Sequence, residues 1–181
     1  HAEGTPLAAM TTHEFVEAVP HGIRLTDLLA AAARFDAPTL NIEIKPATSW
    51  ADARLRARRY LADIQHAPAH VTVFASSFDP RVLLALRVLK PAHPRALLLT
   101  DEAPQSLHER WMRPLVAPQA IHPDGRLATK ANLARWRAAG LQVNVWTIND
   151  PARARELASW GATGIITDDP AAIQAALGGT A

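Results

Sequence analysis

The segment Leu40–Lys45 places an acid and a base two residues apart in a run with β-strand alternation. Successive side chains of a strand point to opposite faces of its sheet. The alternation therefore divides the segment into Leu40, Ile42 and Ile44 on one face and Asn41, Glu43 and Lys45 on the other. Buried charges require a partner, a metal or a ligand. If both faces of the strand are covered, Glu43 and Lys45 belong to a site; the alternative is an internal ion pair without a ligand.

Trp146 is the second candidate, near the end of a strand-like run over 141–147. It shares a face with Gln142 and Asn144, opposite Leu141, Val143 and Val145. A tryptophan at the carboxyl end of a strand, beside polar residues, suits the wall of a ligand pocket in a barrel. The alternative is ordinary core packing.

The eight histidines give little support for a metal centre, because no His-x-x-x-His spacing occurs. Most are interpreted as surface residues in loops, and His122, before Pro123 in a predicted βα loop, is the one histidine with a possible role. Asp168 and Asp169 are interpreted as a turn and a helix N-cap rather than as metal ligands.

The composition predicts one folded domain over residues 1–181. Apolar residues make up 49% of the chain, the formal net charge is +2, and there are no cysteines. No apolar stretch is long enough to span a membrane, and the start of the sequence lacks the features of a signal peptide. We therefore expect a cytoplasmic protein. No aromatic-interleaved basic patch supports a nucleic-acid partner.

Three strand-like runs lead through Asp-Pro into a helical pattern, at Asp79-Pro80, Asp150-Pro151 and Asp169-Pro170. Aspartate is a favoured N-cap and proline a favoured first helical residue, so these pairs predict short strand-to-helix turns. Repeated βα units indicate an α/β fold with a parallel sheet. Five strands are predicted, at 40–45, 71–78, 95–99, 141–147 and 164–168.

Between these strands the sequence predicts outer helices, including one over Trp50–His66. Its arginines are interpreted as a solvated face: Arg54, Arg56, Arg58 and Arg59. The proline-rich segment Asp101–Gly125 is predicted to be a loop bearing a short helix.

Several motifs, in order, resemble the glycerophosphodiester phosphodiesterase family. Asn41–Lys45 is similar to its "NIEIK" strand, and Ser76-Ser77-Phe78 to its "SSF" strand end. Gln142–Asn149 resembles its "VxVWTVN" strand, and Gly164–Pro170 its closing "DGIITDYP". Ala120–Pro123 has a counterpart in a short segment before the tryptophan strand. The resemblance extends over about residues 20 to 177.

The resemblance implies a TIM barrel that hydrolyses glycerophosphodiesters to glycerol phosphate and an alcohol, with a divalent metal, Mg²⁺ or Ca²⁺, held by carboxylates. Glu43 matches a metal-binding carboxylate of the family. Lys45 matches a lysine that contacts the phosphate, and Trp146 a tryptophan that packs against the glycerol. The implied partner is a small glycerophosphodiester.

The family's His-Arg-Gly, Glu-x-Asp and His-Asp motifs are not found in this sequence. No catalytic histidine is therefore assigned, and the chain is expected to supply about five of the eight βα units of a barrel. Two hypotheses remain. The first is an enzyme of this family whose N-terminal strands are missing here; the second is an inactive relative that serves binding or homo-oligomer assembly.

Overall fold

The computed structural model describes residues 23–101 and 112–178. Within them, six strands form one sheet whose spatial order follows the sequence, and every pairing is parallel. The strands are β1 (Thr39–Glu43), β2 (Thr72–Ser77), β3 (Arg95–Leu99), β4 (Ala120–Pro123), β5 (Gln142–Val145) and β6 (Gly164–Ile165). The fold is an α/β half-barrel of the TIM type, which confirms the predicted class.

Strand β4 corrects the prediction of five strands, because it lies in the segment that was predicted to be a loop. Its four residues are all buried, and it pairs with β3 through Leu97↔Ile121 and with β5 through Ile121↔Val143. The prolines around it obscured a strand too short to show clear alternation. The short helix predicted in this segment is present, at Arg113–Val116.

Helices follow the strands and cover one side of the sheet. In the described residues they are α1 (Leu25–Ala32), α2 (Trp50–Ile64), α3 (Pro80–Leu89), α4 (Arg113–Val116), α5 (Lys130–Ala138), α6 (Pro151–Ser159) and α7 (Pro170–Ala176). The three predicted Asp-Pro starts are confirmed. Asp79, Asp150 and Asp169 each accept a hydrogen bond from a backbone N–H of the first helical turn. None of these helices is long and apolar enough to cross a bilayer.

The alternation of each strand separates a helix-facing side from an inner side. On β5, Val143 and Val145 are fully buried against the helices, whereas Gln142 is exposed and Asn144 half-buried on the inner side. The helix-facing side forms the main hydrophobic core with Leu83, Leu133 and Trp136 of the helices.

Two aromatic contacts on the inner side demonstrate the curvature of the sheet. The Phe78 ring, just after β2, and the Trp146 ring, just after β5, have centroids 5.6 Å apart. In a flat sheet, three strand spacings would separate these positions by about 14 Å. Phe74 and His122 likewise meet across β3, with ring centroids 5.7 Å apart. The inner face is therefore concave, as in a barrel.

Candidate active site at the carboxyl edge of the sheet

Glu43 and Lys45 lie at the carboxyl end of β1, and the Lys45 ammonium contacts the Glu43 carboxylate at 2.9 Å. The Glu43 side chain is 33% exposed and that of Lys45 is 74% exposed. The pair is thus open to solvent in the described structure. From the sequence, these two residues belong to a site on the condition that both faces of the strand are covered, and the described residues do not meet that condition. A solvent-exposed ion pair of this kind contributes little to stability, so both groups are free to exchange partners when a ligand arrives.

The backbone that carries Lys45 is anchored on both sides. The Ser77 hydroxyl donates to the carbonyl oxygen of Ile44 at 2.7 Å, and the Ala47 N–H donates to the Asp79 carboxylate at 2.9 Å. Asp79 also accepts hydrogen bonds from Arg81. Burial alone would raise the pKa of Asp79, but its bonds from Arg81 and Ala47 outweigh burial and hold the pKa below its usual range. Asp79, which is ionised at neutral pH, therefore fixes the β1–α2 loop.

Trp146 lies at the same edge of the sheet, four strands away from Glu43. Its indole N–H donates to the carbonyl oxygen of His122 at 2.7 Å, and Phe78 packs edge-on against its ring. These contacts hold the half-buried indole in one orientation. Together the two rings form an apolar wall on the concave side, and the Phe78 end of this wall follows β2, the strand that pairs with β1.

His122 supports this wall from the inner face of β4. It is fully buried, and the Asn144 amide donates to its Nε2 at 3.0 Å. Burial lowers the pKa of His122 to about 4, so the ring is neutral at physiological pH. A neutral ring whose Nε2 accepts must carry its proton on Nδ1. The predicted βα loop at this position is in fact strand β4.

Asn144 is fixed in turn by its neighbours at the start of β6. The Thr163 hydroxyl donates to its Oδ1 at 3.0 Å. A Cβ atom at Gly164 would lie 2.6 Å from that oxygen, so the side chain of Asn144 occupies space that only glycine leaves open. The amide is thereby oriented with its NH₂ group toward His122.

The other acidic groups at this edge have structural partners. Asp124 after β4 contacts Arg126, whose hydrogen bonds lower the pKa of the Asp124 carboxyl. Arg126 also reaches Asp101 after β3 at 2.7 Å. Asp168 accepts from the Asn149 amide at 2.9 Å, and Asp169 caps α7, as expected from the sequence.

The described residues do not form a complete metal centre. They contain no group of three or more histidine or acidic side chains placed to hold an ion. Glu43 offers a single carboxylate, which faces an ammonium rather than further oxygen ligands.

The sequence-predicted residues thus lie at one edge of the sheet, in two groups. Glu43 and Lys45 are in contact with each other, and Trp146 belongs to the aromatic wall. Phe78 is a member of this site that was not predicted from the sequence. Its place at the end of the "SSF" motif was the signal, since a side chain that follows a barrel strand lies at the edge where sites are built.

Comparison with known proteins gives a consistent result. The model of the "Glycerophosphoryl diester phosphodiesterase family" matches residues 7–172. The comparison with curated proteins found no match to the chain. A putative glycerophosphoryl diester phosphodiesterase from Silicibacter pomeroyi is 27% identical, with a TM-score of 0.73 over 85% of this chain and 56% of that chain.

Two further solved structures have the same fold. A phosphodiesterase from Oleispira antarctica, in complex with the product sn-glycerol-3-phosphate, is 22% identical, with a TM-score of 0.74 over 85% of this chain and 60% of that one. A putative glycerophosphodiester phosphodiesterase from Galdieria sulphuraria is 17% identical, with a TM-score of 0.76 over 97% and 73%. The chain spans less than two thirds of the length of the Oleispira and Silicibacter proteins.

Proposed function

The chain belongs to the glycerophosphoryl diester phosphodiesterase family, and on that premise we propose that its protein hydrolyses glycerophosphodiesters to glycerol phosphate and an alcohol. The observation that supports the proposal is that a solvent-accessible cation, Lys45, and the wall of Phe78 and Trp146 both lie at the carboxyl edge of the concave sheet. A glycerophosphodiester is complementary to both: its anionic phosphate matches the cation, and its short glycerol carbon chain matches the apolar wall.

Each residue has a distinct part in this proposal. The Lys45 ammonium leaves Glu43 and neutralises a phosphate oxygen, which stabilises the charge that builds up during attack on phosphorus. Trp146 and Phe78 contact the glycerol carbons and exclude water from that side. His122, neutral and buried, holds the indole through its carbonyl oxygen rather than transferring protons.

Glu43 is proposed as one ligand of a divalent metal, Mg²⁺ or Ca²⁺, ions that prefer carboxylate oxygen. Because the described residues form no complete metal centre, we derive no step of the reaction through the ion. The groups that act as general acid and base are likewise not assigned to described residues.

The test is release of glycerol phosphate from glycerophosphocholine and glycerophosphoethanolamine by the intact protein, with and without added Mg²⁺ or Ca²⁺. We expect Lys45→Met to lower kcat/KM by about 10²-fold, the scale on which one transition-state contact acts. Glu43→Gln should cause a loss at least as large. Lys130→Met and Asp63→Asn change exposed charges on helices and serve as matched controls.

A different result would favour the second hypothesis, an inactive relative that binds or assembles. The specific observation in its favour is that the Glu43–Lys45 pair is satisfied internally at 2.9 Å. Absence of glycerol phosphate release with either ion, together with calorimetric binding of glycerol phosphate that Lys45→Met abolishes, would support a binding module instead.

A further inference from the structure

The basic face predicted on α2 is only partly neutralised by acidic groups. Arg56 pairs with Asp52 at 3.0 Å, one turn away on the same helix. Arg54, Arg58 and Arg59 are exposed, and no carboxylate in the described ranges contacts them. Three unpaired cations on one helix repel each other, and an external anionic partner would relieve that repulsion.

Exposed apolar side chains lie beside Arg54. The Trp50 side chain, in the first turn of α2, is 58% exposed, and Val88 on α3 is 71% exposed. Both line a surface groove between the two helices. The complete lining is Trp50, Arg54, Leu84, Ala85, Val88 and Leu89. Large exposed apolar residues that border one groove indicate a surface with a partner.

The charge of this region differs from that of the rest of the chain. Residues 50–90 contain seven arginine or lysine residues against three aspartates, whereas the whole chain has a formal net charge of only +2. Two of those aspartates, Asp52 and Asp79, already pair with arginines of the region. The third, Asp63, is exposed on α2, so the surface that remains for a partner keeps a net positive charge beside apolar side chains.

We propose that the outer surface of α2 and α3 docks onto the headgroup region of an anionic lipid bilayer. Tryptophan is favoured at the boundary between lipid headgroups and acyl chains. Arginine side chains place their stems along apolar surface while the guanidinium reaches phosphate. Amphipathic helices with basic polar faces bind membranes in this way. Binding through this surface leaves the concave site unobstructed, because helices and site occupy opposite sides of the sheet.

The arrangement of the cations favours a bilayer over an acidic peptide. Arg54 and Arg58 are one turn apart on the face that carries Trp50, and Arg59 lies on a neighbouring face of the helix; all three are solvent-exposed. A row of separated, exposed cations matches the many phosphates of a lipid surface. A single acidic side chain would neutralise only one of them.

Vesicle flotation tests the proposal with the intact protein, because buoyant lipid separates bound protein from aggregates. We expect binding to vesicles of phosphatidylglycerol and phosphatidylcholine that weakens as salt rises, and little binding to phosphatidylcholine alone. Arg54→Gln/Arg58→Gln should weaken binding to anionic vesicles roughly 30-fold, from about fivefold per arginine. Trp50→Ala should weaken it without changing the salt dependence.

The matched control is Arg34→Gln/Arg155→Gln, which removes two exposed arginines that lie outside α2 and α3 and should leave flotation unchanged. Thermal melts establish that each variant is folded. No flotation of the wild type, equal binding to neutral vesicles, or equal losses in both double variants would overturn the proposal. One more outcome would also overturn it: the wild type forms an oligomer that floats with no lipid preference, and the variant Arg54→Gln/Arg58→Gln is a monomer. The surface of α2 and α3 would then be an interface between copies of the chain.

Discussion

At the scale of single residues, the local environment assigns different tasks to side chains of the same type. His122 and His93 are both buried, yet the His122 ring accepts a hydrogen bond from the Asn144 amide, whereas the His93 ring shares a hydrogen bond with the Tyr60 hydroxyl. The Tyr60 hydroxyl lies 2.7 Å from Nε2 of His93, between α2 and the loop before β3. Neither imidazole has a carboxylate partner among these contacts, so protonation of either one would leave a buried charge without compensation.

We predict that the buried, uncharged histidines make the stability of the fold sensitive to mild acid. Burial, with the charges of Lys90 and Arg95, lowers the pKa of His93 to about 4 from the ordinary histidine value of 6.5. As pH falls, His93 is therefore protonated in the unfolded chain at a higher pH than in the folded protein. The contribution to stability is complete above pH 6.5 and is lost as pH falls toward 4. Linkage gives a loss of about 1 kcal/mol per such histidine by pH 5.5.

Urea unfolding at pH 7 and pH 5.5 measures this loss. His93→Gln keeps an acceptor for the Tyr60 hydroxyl and removes the titration, so its stability should fall with pH by about 1 kcal/mol less than that of the wild type. His66→Gln, at an exposed histidine, is the matched control and should keep the full pH dependence. The interpretation is wrong if His93→Gln and the wild type lose the same stability.

At the scale of elements, the Asp-Pro turns have the same local geometry but different surroundings. The caps of α3 and α6 each accept a backbone N–H at 2.9 Å. The Asp79 side chain is only 5% exposed and also binds the Ala47 N–H of the β1–α2 loop, whereas Asp150 is an exposed cap. One cap therefore starts a helix and also secures the loop after Lys45.

We predict that the two caps differ in their contribution to stability. Asp150→Ala should cost about 1 kcal/mol, the ordinary value for a lost N-cap. Asp79→Ala should cost about 2–3 kcal/mol, because it also leaves the Ala47 N–H and the Arg81 guanidinium without their acceptor. Urea unfolding of both variants at pH 7 provides the comparison. Equal losses would mean that the contact with Ala47 contributes nothing.

At the scale of the whole molecule, the curved sheet has two edges within the described residues. Strand β1 pairs only with β2, and β6 pairs only with β5. The inner-face residues of β1 are exposed, at Thr39, Asn41 and Glu43. A strand edge with unpaired N–H and C=O groups is a template for pairing with another strand, and a TIM barrel closes only with eight strands.

We predict that the 181-residue chain, expressed alone, does not remain a monodisperse monomer. Size-exclusion chromatography with light scattering should show oligomers whose mass increases with concentration. Asn41→Lys adds a charge on the exposed edge strand and should reduce association. Ala175→Lys adds the same charge on α7 as a control. A monomer that melts cooperatively over the whole concentration range would contradict the prediction.

The sequence by itself determined the features that depend on neighbours along the chain. The Asp-Pro caps, the alternation on β5 and the parallel βα order follow from local propensity and periodicity, so they were predictable. The motifs around Glu43, Lys45 and Trp146 likewise identified the family, since motif order is a property of the sequence.

Only the tertiary structure decided the features that depend on residues distant in sequence. Strand β4 is too short for its alternation to be recognised, and pairing with β3 and β5 makes it a strand. Phe78 meets Trp146 because the sheet curves, and curvature is a property of the whole sheet. The solvent exposure of Lys45 and Glu43 likewise depends on which elements cover the inner face. Each of these features is set by tertiary packing between segments that are distant in sequence, so residue spacing along the chain does not reveal them directly.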